Sequence, residues 1–215
     1  MSALTISLNF PQSVAGRHPV WKRPLDVCLT LFGLSAIWPV LVVVAMAVRL
    51  SSPGPVFFVQ TRIGRDGKPF GMIKFRSMYA DAEARRADLL AQSDREGVCF
   101  KSRNDPRITP VGRVLRRLSL DELPQIFNVL RGDMSLVGPR PALPEEVRAY
   151  PTRAVGRLAV LPGITGLWQV SGRAEIGFDE MVEMDLAYAA DGRLTTDLAL
   201  LFRTFRAVIT GRGAY

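Results

Sequence analysis

Residues 27–48 read VCLTLFGLSAIWPVLVVVAMAV, 22 positions without a charge, while the rest of the chain mixes short apolar stripes with polar turns. As a straight helix this segment reaches about 33 Å, enough for a hydrocarbon core of about 30 Å. It is too long, and starts too far into the chain, for a secretory leader. Pro39 falls at its middle, where it removes a backbone hydrogen bond and clashes with the carbonyl of Ser35. Gly33 and Ser35 can accommodate a bend there. Basic residues flank both ends: Arg17, Lys22 and Arg23 before, and Arg49, Arg62, Arg65, Lys68, Lys74 and Arg76 after. A spanning helix carries its basic excess on one side. Charge at both ends suits a broken helix that returns to one face, drawn to anionic headgroups. A Pro-kinked spanning helix and a re-entrant helix both remain open at this point.

Beyond this segment, Ser51-Ser52-Pro53-Gly54-Pro55 should end the apolar element. Periodicity predicts strands over 56–60 and 70–75, with a hairpin turn at Arg65-Asp66-Gly67-Lys68. It predicts a helix over 80–91, a loop over 93–110, and a short helix over 111–118. Leu123, Ile126, Phe127 and Leu130 form one helical face, stopped by Gly132. A helix over 144–150, a turn over 162–166, a strand over 167–170, a turn over 171–173, and helices over 179–190 and 195–210 follow. In the last helix Leu198, Leu201, Phe202, Phe205 and Ile209 share helical spacing, with Arg203 and Arg206 between them. Core packing and a membrane-interface position both fit that stripe. The class is α+β and mostly helical. Residues 1–20 form an N-terminal arm, 21–50 the membrane element, and 51–215 a small α/β domain with a short hairpin and interfacial amphipathic helices.

Charge narrows the partners. With 28 basic and 20 acidic residues the net charge is +8, which favours nucleic acid, anionic lipid or phosphorylated small molecules. No nucleic-acid recognition motif is present, so no nucleic acid partner is expected. Cys28 and Cys99 have no partners at metal-ligand spacing, and His18 is the lone histidine. Disulfide scaffolds, histidine metal sites and serine–histidine triads are set aside. Acid–base or nucleophilic chemistry then falls to carboxylates and basic side chains.

The stretch SLDELPQIFNVLRGDMSLVGPRP at 119–141 holds the candidates. Ser119-x-x-Glu122 matches a capping box. Pro124 favours Asp121 at or beside the cap, because a missing N–H costs nothing in the first helical turn. An ionised carboxylate there can attack phosphorus, and Mg²⁺ can sit between paired acids and phosphate oxygens. Plain capping with solvated charge is the competing explanation. Gly138-Pro139-Arg140-Pro141 holds a preorganised guanidinium suited to phosphate. Arg116 and Arg117 precede the acids, and Lys74 and Arg76 alternate on a strand. Together these suggest a diphosphate site with Mg²⁺.

KRPLD at 22–26, SPGPVFFVQTRIG, KFRSM at 74–78, the 119–141 stretch and PGITGLWQVSGR at 162–173 appear in order. Through them the chain resembles the bacterial monotopic phosphoglycosyl transferases, the polyprenyl-phosphate sugar-1-phosphate transferase family. The resemblance implies a re-entrant helix in one leaflet of the bacterial inner membrane and a catalytic domain on its cytoplasmic face. It implies a UDP-sugar donor, a polyprenyl phosphate acceptor and Mg²⁺ as cofactor, held by Asp121 and Glu122. By this likeness Asp121 is the nucleophile, UMP leaves, and polyprenyl phosphate resolves an aspartyl phosphosugar. Glu122 supports the metal and the dyad's geometry. Lys74, Arg76, Arg116, Gly138, Pro139, Arg140 and Arg173 line the substrate site. Anionic membrane lipids, downstream glycosyltransferases and a second copy of the chain are further partners consistent with it. Relatives often place Ser before the helix-breaking Pro; here Trp38 precedes Pro39. A non-catalytic membrane-anchored scaffold of glycan assembly is the alternative from another class.

Overall fold

A computed structural model describes residues 19–82, 105–172 and 176–210. This part is mostly helical, with two small two-stranded sheets. The first helix, α1 (Lys22–Ser51), continues past Pro39. Ser35 Oγ donates to the Phe32 carbonyl at 2.7 Å in the turn before the proline. Leu31, Phe32, Trp38, Val40, Val42 and Val43 are exposed in the middle of α1. Its ends are covered. Lys22, Asp26 and Thr30 are buried at one end and Val44 and Val48 at the other. Arg23 donates to the carbonyls of Val129 and Leu130, and Val44 and Val48 pack on Phe75 and Leu115. So both ends of a 30-residue apolar helix rest on the rest of the chain while its middle does not.

The serine–proline–glycine cluster ends α1, as its composition predicts. Its last carbonyls are not left to water: the Arg76 guanidinium takes those of Ser52 at 2.6 Å, Pro53 at 2.8 Å and Val48 at 3.3 Å. Strands β1 (Phe57–Ile63) and β2 (Pro69–Phe75) pair antiparallel, with Phe57 opposite Phe75 and Ile63 opposite Pro69. The turn between them puts Asp66 at φ 57°, a left-handed position that aspartate tolerates.

Helix α2 (Pro110–Arg117) starts at Thr109, whose hydroxyl accepts from the Gly112 amide at 2.8 Å. A Cβ on Gly112 would lie 1.9 Å from the Ser77 carbonyl oxygen, so only glycine lets α2 lie against the chain leaving β2. A 3-10 turn (Leu120–Gln125) runs directly into α3 (Ile126–Arg131). Buried Asn128 on α3 accepts from the Ile73 amide at 3.0 Å and donates to the Gly71 carbonyl at 2.7 Å. Through it α3 completes the free edge of β2. Strand β3 (Ser135–Val137) then pairs in parallel with β4 (Gly163–Thr165). Helix α4 (Pro144–Arg148) and a 3-10 segment (Thr152–Ala159) connect them. Helices α5 (Leu167–Ser171), α6 (Phe178–Ala190) and α7 (Leu194–Thr210) close the described chain.

Several expectations change. The predicted strand over 167–170 is helix α5; the strand instead occupies Gly163–Thr165, part of the expected turn. A four-residue apolar run carries no period of its own, and Leu167 and Val170 reach the cluster of Val137, Tyr188 and Leu200 from one helical face. The cap expected at or beside Asp121 falls at Ser119, and the segment starts at Leu120 as a 3-10 turn. Ser119 precedes it in a left-handed conformation (φ 56°) and makes no side-chain cap hydrogen bond. Leu198, Phe202 and Phe205 on α7 are exposed, so most of that stripe is not core; Leu201 packs against the cluster of Val137, Tyr188 and Leu200, and Asp197 and Leu200 are buried on the same helix. Of the flanking basic residues assigned to headgroups, Lys22, Arg62 and Arg76 are buried inside the protein. Residues 83–91 of one expected helix, residues 93–104 of the loop with Cys99, and His18 lie outside the described residues.

Candidate active site

The dyad sits where the 3-10 turn packs against β2. Left-handed Ser119 reverses the chain after α2 and places Asp121 and Glu122 in the first turn that follows. Pro124 lies within this turn, past the free N–H groups at its start, so the turn forgoes one backbone hydrogen bond there. The two carboxylates then part company. Glu122 Oε1 lies 2.7 Å from Lys74 Nζ, while Asp121 is buried with 7% of its surface exposed.

Their electrostatics diverge accordingly. Burial works against the charge on Glu122, but Lys74, Arg140 and Arg62 outweigh it and hold its carboxyl at about 2. Burial pushes the Asp121 carboxyl above the ordinary value of 3.8, and Glu122 adds to that; Lys74 and Arg116 pull the other way. One acid is thus held anionic while its neighbour is pushed toward the protonated form.

Arg140 is exposed, but its backbone is held on every side. The Pro139 carbonyl accepts from the Gly163 amide at 2.9 Å. The Arg140 carbonyl accepts a long 3.4 Å hydrogen bond from Arg157. The Pro141 carbonyl accepts from Arg62 at 3.0 Å. Gly138 crosses the neighbouring strand so closely that a Cβ would meet the Leu161 carbonyl oxygen at 2.4 Å. Behind Arg157 stand Tyr150, whose hydroxyl accepts at 2.7 Å, and the ion-paired Asp185 on α6. Burial lifts the Asp185 carboxyl to about 6 despite the opposing pull of Arg157.

The charges of Lys74, Arg116 and Arg140 therefore act on the dyad. Arg76 does not join them: its guanidinium is taken up by the end of α1. Arg173 lies outside the described residues. Arg62 is the member that sequence reasoning missed. It is buried, its pKa lowered to about 10 chiefly by burial and then by Arg140, and it bonds Gln60 at 2.7 Å as well as Pro141. Its place two residues after Gln60 on a strand was the available signal. Among the described residues no three acidic, histidine or cysteine side chains cluster. Mg²⁺ usually takes one or two carboxylates and fills its shell with water and substrate phosphates. Asp121 and Glu122 supply the two carboxylates that such a site would use.

The pattern that defines the bacterial sugar transferase family matches residues 17–211. The chain belongs to this family. It is 42% identical over 214 residues to the galactosyl transferase CpsE of Streptococcus agalactiae, covering 99% of this chain and 47% of CpsE. It is 37% identical over 218 residues to the exopolysaccharide production protein ExoY of Sinorhizobium fredii, covering 98% and 96%. It is 42% identical over 198 residues to the undecaprenyl-phosphate galactose phosphotransferase of Salmonella typhimurium, covering 90% and 41%. The chain therefore spans less than half of CpsE and of the Salmonella protein, and nearly all of ExoY. In this family member α1 is long and apolar enough to cross a membrane by length and composition.

Proposed function

We propose that the chain transfers a sugar 1-phosphate from a UDP-sugar to polyprenyl phosphate, releasing UMP, as the first membrane step of a bacterial surface glycan. The observation that carries this reading is the split dyad: Glu122 ion-paired to Lys74 and held anionic, Asp121 buried beside it. An Asp121 oxygen attacks the sugar-bearing phosphorus, and the bond from that phosphorus to the bridging oxygen breaks. UMP leaves with the bridging oxygen, and an aspartyl phosphosugar remains. A polyprenyl phosphate oxygen then attacks the same phosphorus and frees the carboxylate. Lys74, Arg116 and Arg140 offset charge on the phosphates, and Glu122 keeps Lys74 in place. Mg²⁺ held by Asp121 and Glu122 with the diphosphate would supply further charge neutralisation. The name of the Salmonella relative supports undecaprenyl phosphate as the acceptor.

Residues 21–50 are the membrane element and 51–215 the catalytic domain in this reading, on the cytoplasmic face. Support for a re-entrant, monotopic arrangement comes from α1, whose two ends rest on the same domain. A spanning helix would carry them to opposite sides of a hydrocarbon core about 30 Å thick. Exposed Phe202 and Phe205 on α7 support a second contact with the membrane surface.

UDP-sugars screened against purified protein with Mg²⁺ and undecaprenyl phosphate should release UMP with one of them. Mass spectrometry should find the phosphosugar on the peptide containing Asp121, and Asp121→Asn should abolish both signals. Normal turnover by that variant would remove Asp121 as nucleophile. No UMP from any UDP-sugar would favour a non-catalytic scaffold. Cysteines placed at 21 and 65 should label from the cytoplasmic side only; labelling from opposite sides would make α1 a spanning helix.

A further inference from the structure

Phe58, Gln60 and Arg62 of β1 stand opposite Lys74, Met72 and Phe70 of β2. Alternate residues share a face, so Gln60 and Arg62 project to the same side of the hairpin as Lys74, which meets Glu122. Arg62 is 6% exposed. A charge at that depth is costly unless a carboxylate or a dipole offsets it. The other buried arginines have such a partner: Arg107 pairs with Asp105, Arg157 with Asp185, and Arg76 takes the negative end of α1. Arg62 has only neutral partners. Gln60 Oε1 accepts from its Nε at 3.2 Å and its Nη2 at 2.7 Å, and the Pro141 carbonyl accepts from its Nη1. Among the described residues no carboxylate pairs with it. Glu146, whose charge acts on Arg62, accepts instead from the Leu143 amide at 2.8 Å.

We propose that Gln60 is a positioning residue: it fixes the Arg62 guanidinium without neutralising it, so that the charge of Arg62 serves the phosphates of the donor. This role rests on the transferase reading. Three observations favour it. The clamp is complete, because Gln60 takes two N–H groups of Arg62 while the third donor fixes Pro141, next to Arg140. The adjacent Ile63 amide donates to the Ala142 carbonyl at 2.9 Å, so β1 holds the Arg140 loop at two successive carbonyls. The choice of an amide is informative. The Gln60 amide nitrogen makes no hydrogen bond among the described residues. A glutamate there would keep both bonds to Arg62, lose no contact, and cancel its charge. Finally, that charge belongs to the site: Arg62 and Arg140 act on each other and both act on Glu122. With Lys74 and Arg116 they leave the dyad face with more cations than anions, which suits a diphosphate.

The test compares wild type, Gln60→Glu and Arg62→Met as full chains in nanodiscs, by calorimetric titration with UDP and with UMP in the presence of Mg²⁺. Gln60→Glu should weaken UDP binding about tenfold, the effect of cancelling one unit charge near another in a partly buried site. UMP, with one phosphate fewer, should lose less. The Tm of Gln60→Glu should not fall, because the carboxylate keeps the clamp and gives the buried guanidinium a counterion. Arg62→Met, which removes the same charge outright, should weaken UDP at least as much. A clamp that acts by geometry alone predicts the contrary for Gln60→Glu: UDP affinity within about twofold of wild type. That result would overturn the proposal, as would an equal loss for UMP and UDP, or no binding of UDP by wild type. These titrations need no turnover. The expected pattern in a protein that releases no UMP from any UDP-sugar would refute the transfer reaction and leave the role of Gln60 standing.

Discussion

Lys74 Nζ meets Glu122 at 2.7 Å, with Asp121 buried beside that pair rather than in it. The lysine's partner is thus the acid that stays charged, and the acid assigned to nucleophilic attack keeps its carboxylate out of an ion pair. Glu122 thus anchors a cation beside Asp121, the proposed nucleophile. A capping box would have turned the same side chain back onto the backbone.

Replacing Lys74 by methionine follows from this. Glu122 contributes stability that is fully present above its ordinary 4.5 and lost as pH falls toward about 2. Without Lys74 that loss moves to higher pH, so Lys74→Met should unfold earlier in an acid titration followed by circular dichroism. UMP release should fall about 100-fold, the usual effect of removing one preorganised charge from a reacting site. Lys74→Arg should recover part of it. A rate within threefold of wild type, on the order of a surface charge effect, would place Lys74 outside the reaction.

Asp121 behaves in the opposite sense. Its carboxyl is raised by burial, so in the interval above 3.8 the folded protein holds a proton that the unfolded chain has lost. Stability from this group therefore falls as pH rises through that interval and stays reduced at neutral pH. Asp121→Asn should raise Tm by about 2–4 °C, the shift that roughly 1 kcal/mol gives in a domain of this size, while abolishing adduct formation. Adduct formation by wild type should decline on the acid side at a pH above 3.8. Calorimetry of the two proteins at pH 7 decides the first part; an unchanged or lower Tm contradicts the burial argument.

The exposed stripe of α7 yields a measurement of position. Phe202 and Phe205 are 72% and 67% exposed, and the proposed membrane contact of α7 places both in the lipid interface. A nitroxide on cysteine at 202, in nanodiscs, should be relaxed more by oxygen, which concentrates in lipid, than by a water-soluble nickel chelate. The reverse order would detach α7 from the membrane.

Local pattern made much of this legible. The apolar segment, the hairpin and its turn, α6, α7 and the acid pair all follow from periodicity and breakers that act over a few residues. What stayed hidden was the destination of long basic side chains. Lys22, Arg62 and Arg76 look like headgroup contacts along the chain, yet each closes onto a group distant in sequence: Asp197, the Pro141 carbonyl, and the Ser52 and Pro53 carbonyls. An arginine's sequence context does not show whether it meets phosphate or a helix end, because the donor is the same in both. Helix α5 was missed for a different reason: four apolar residues fit a strand as well as one helical turn, and only contact with Val137 and Leu200 decides between them.

The brace behind Arg140 can be separated from its stability. Arg157 and Asp185 form a buried pair, with Asp185 lifted by burial to about 6. Between 3.8 and about 6 the folded state retains the Asp185 proton, so this group's contribution to stability declines as pH rises through that window; Asp185→Asn should flatten the slope. Arg157→Met strands Asp185 without its cation and should cost about 3–5 kcal/mol. Arg157→Met with Asp185→Leu should recover most of that, because an apolar pair can replace a buried ion pair. The double variant still lacks the donor to the Arg140 carbonyl, so its KM for the UDP-sugar should stay about tenfold above wild type, one lost hydrogen bond's worth of positioning. Denaturation curves and donor KM, measured on the same three proteins, separate the two roles. If KM recovers together with stability, Arg157 only fills the core.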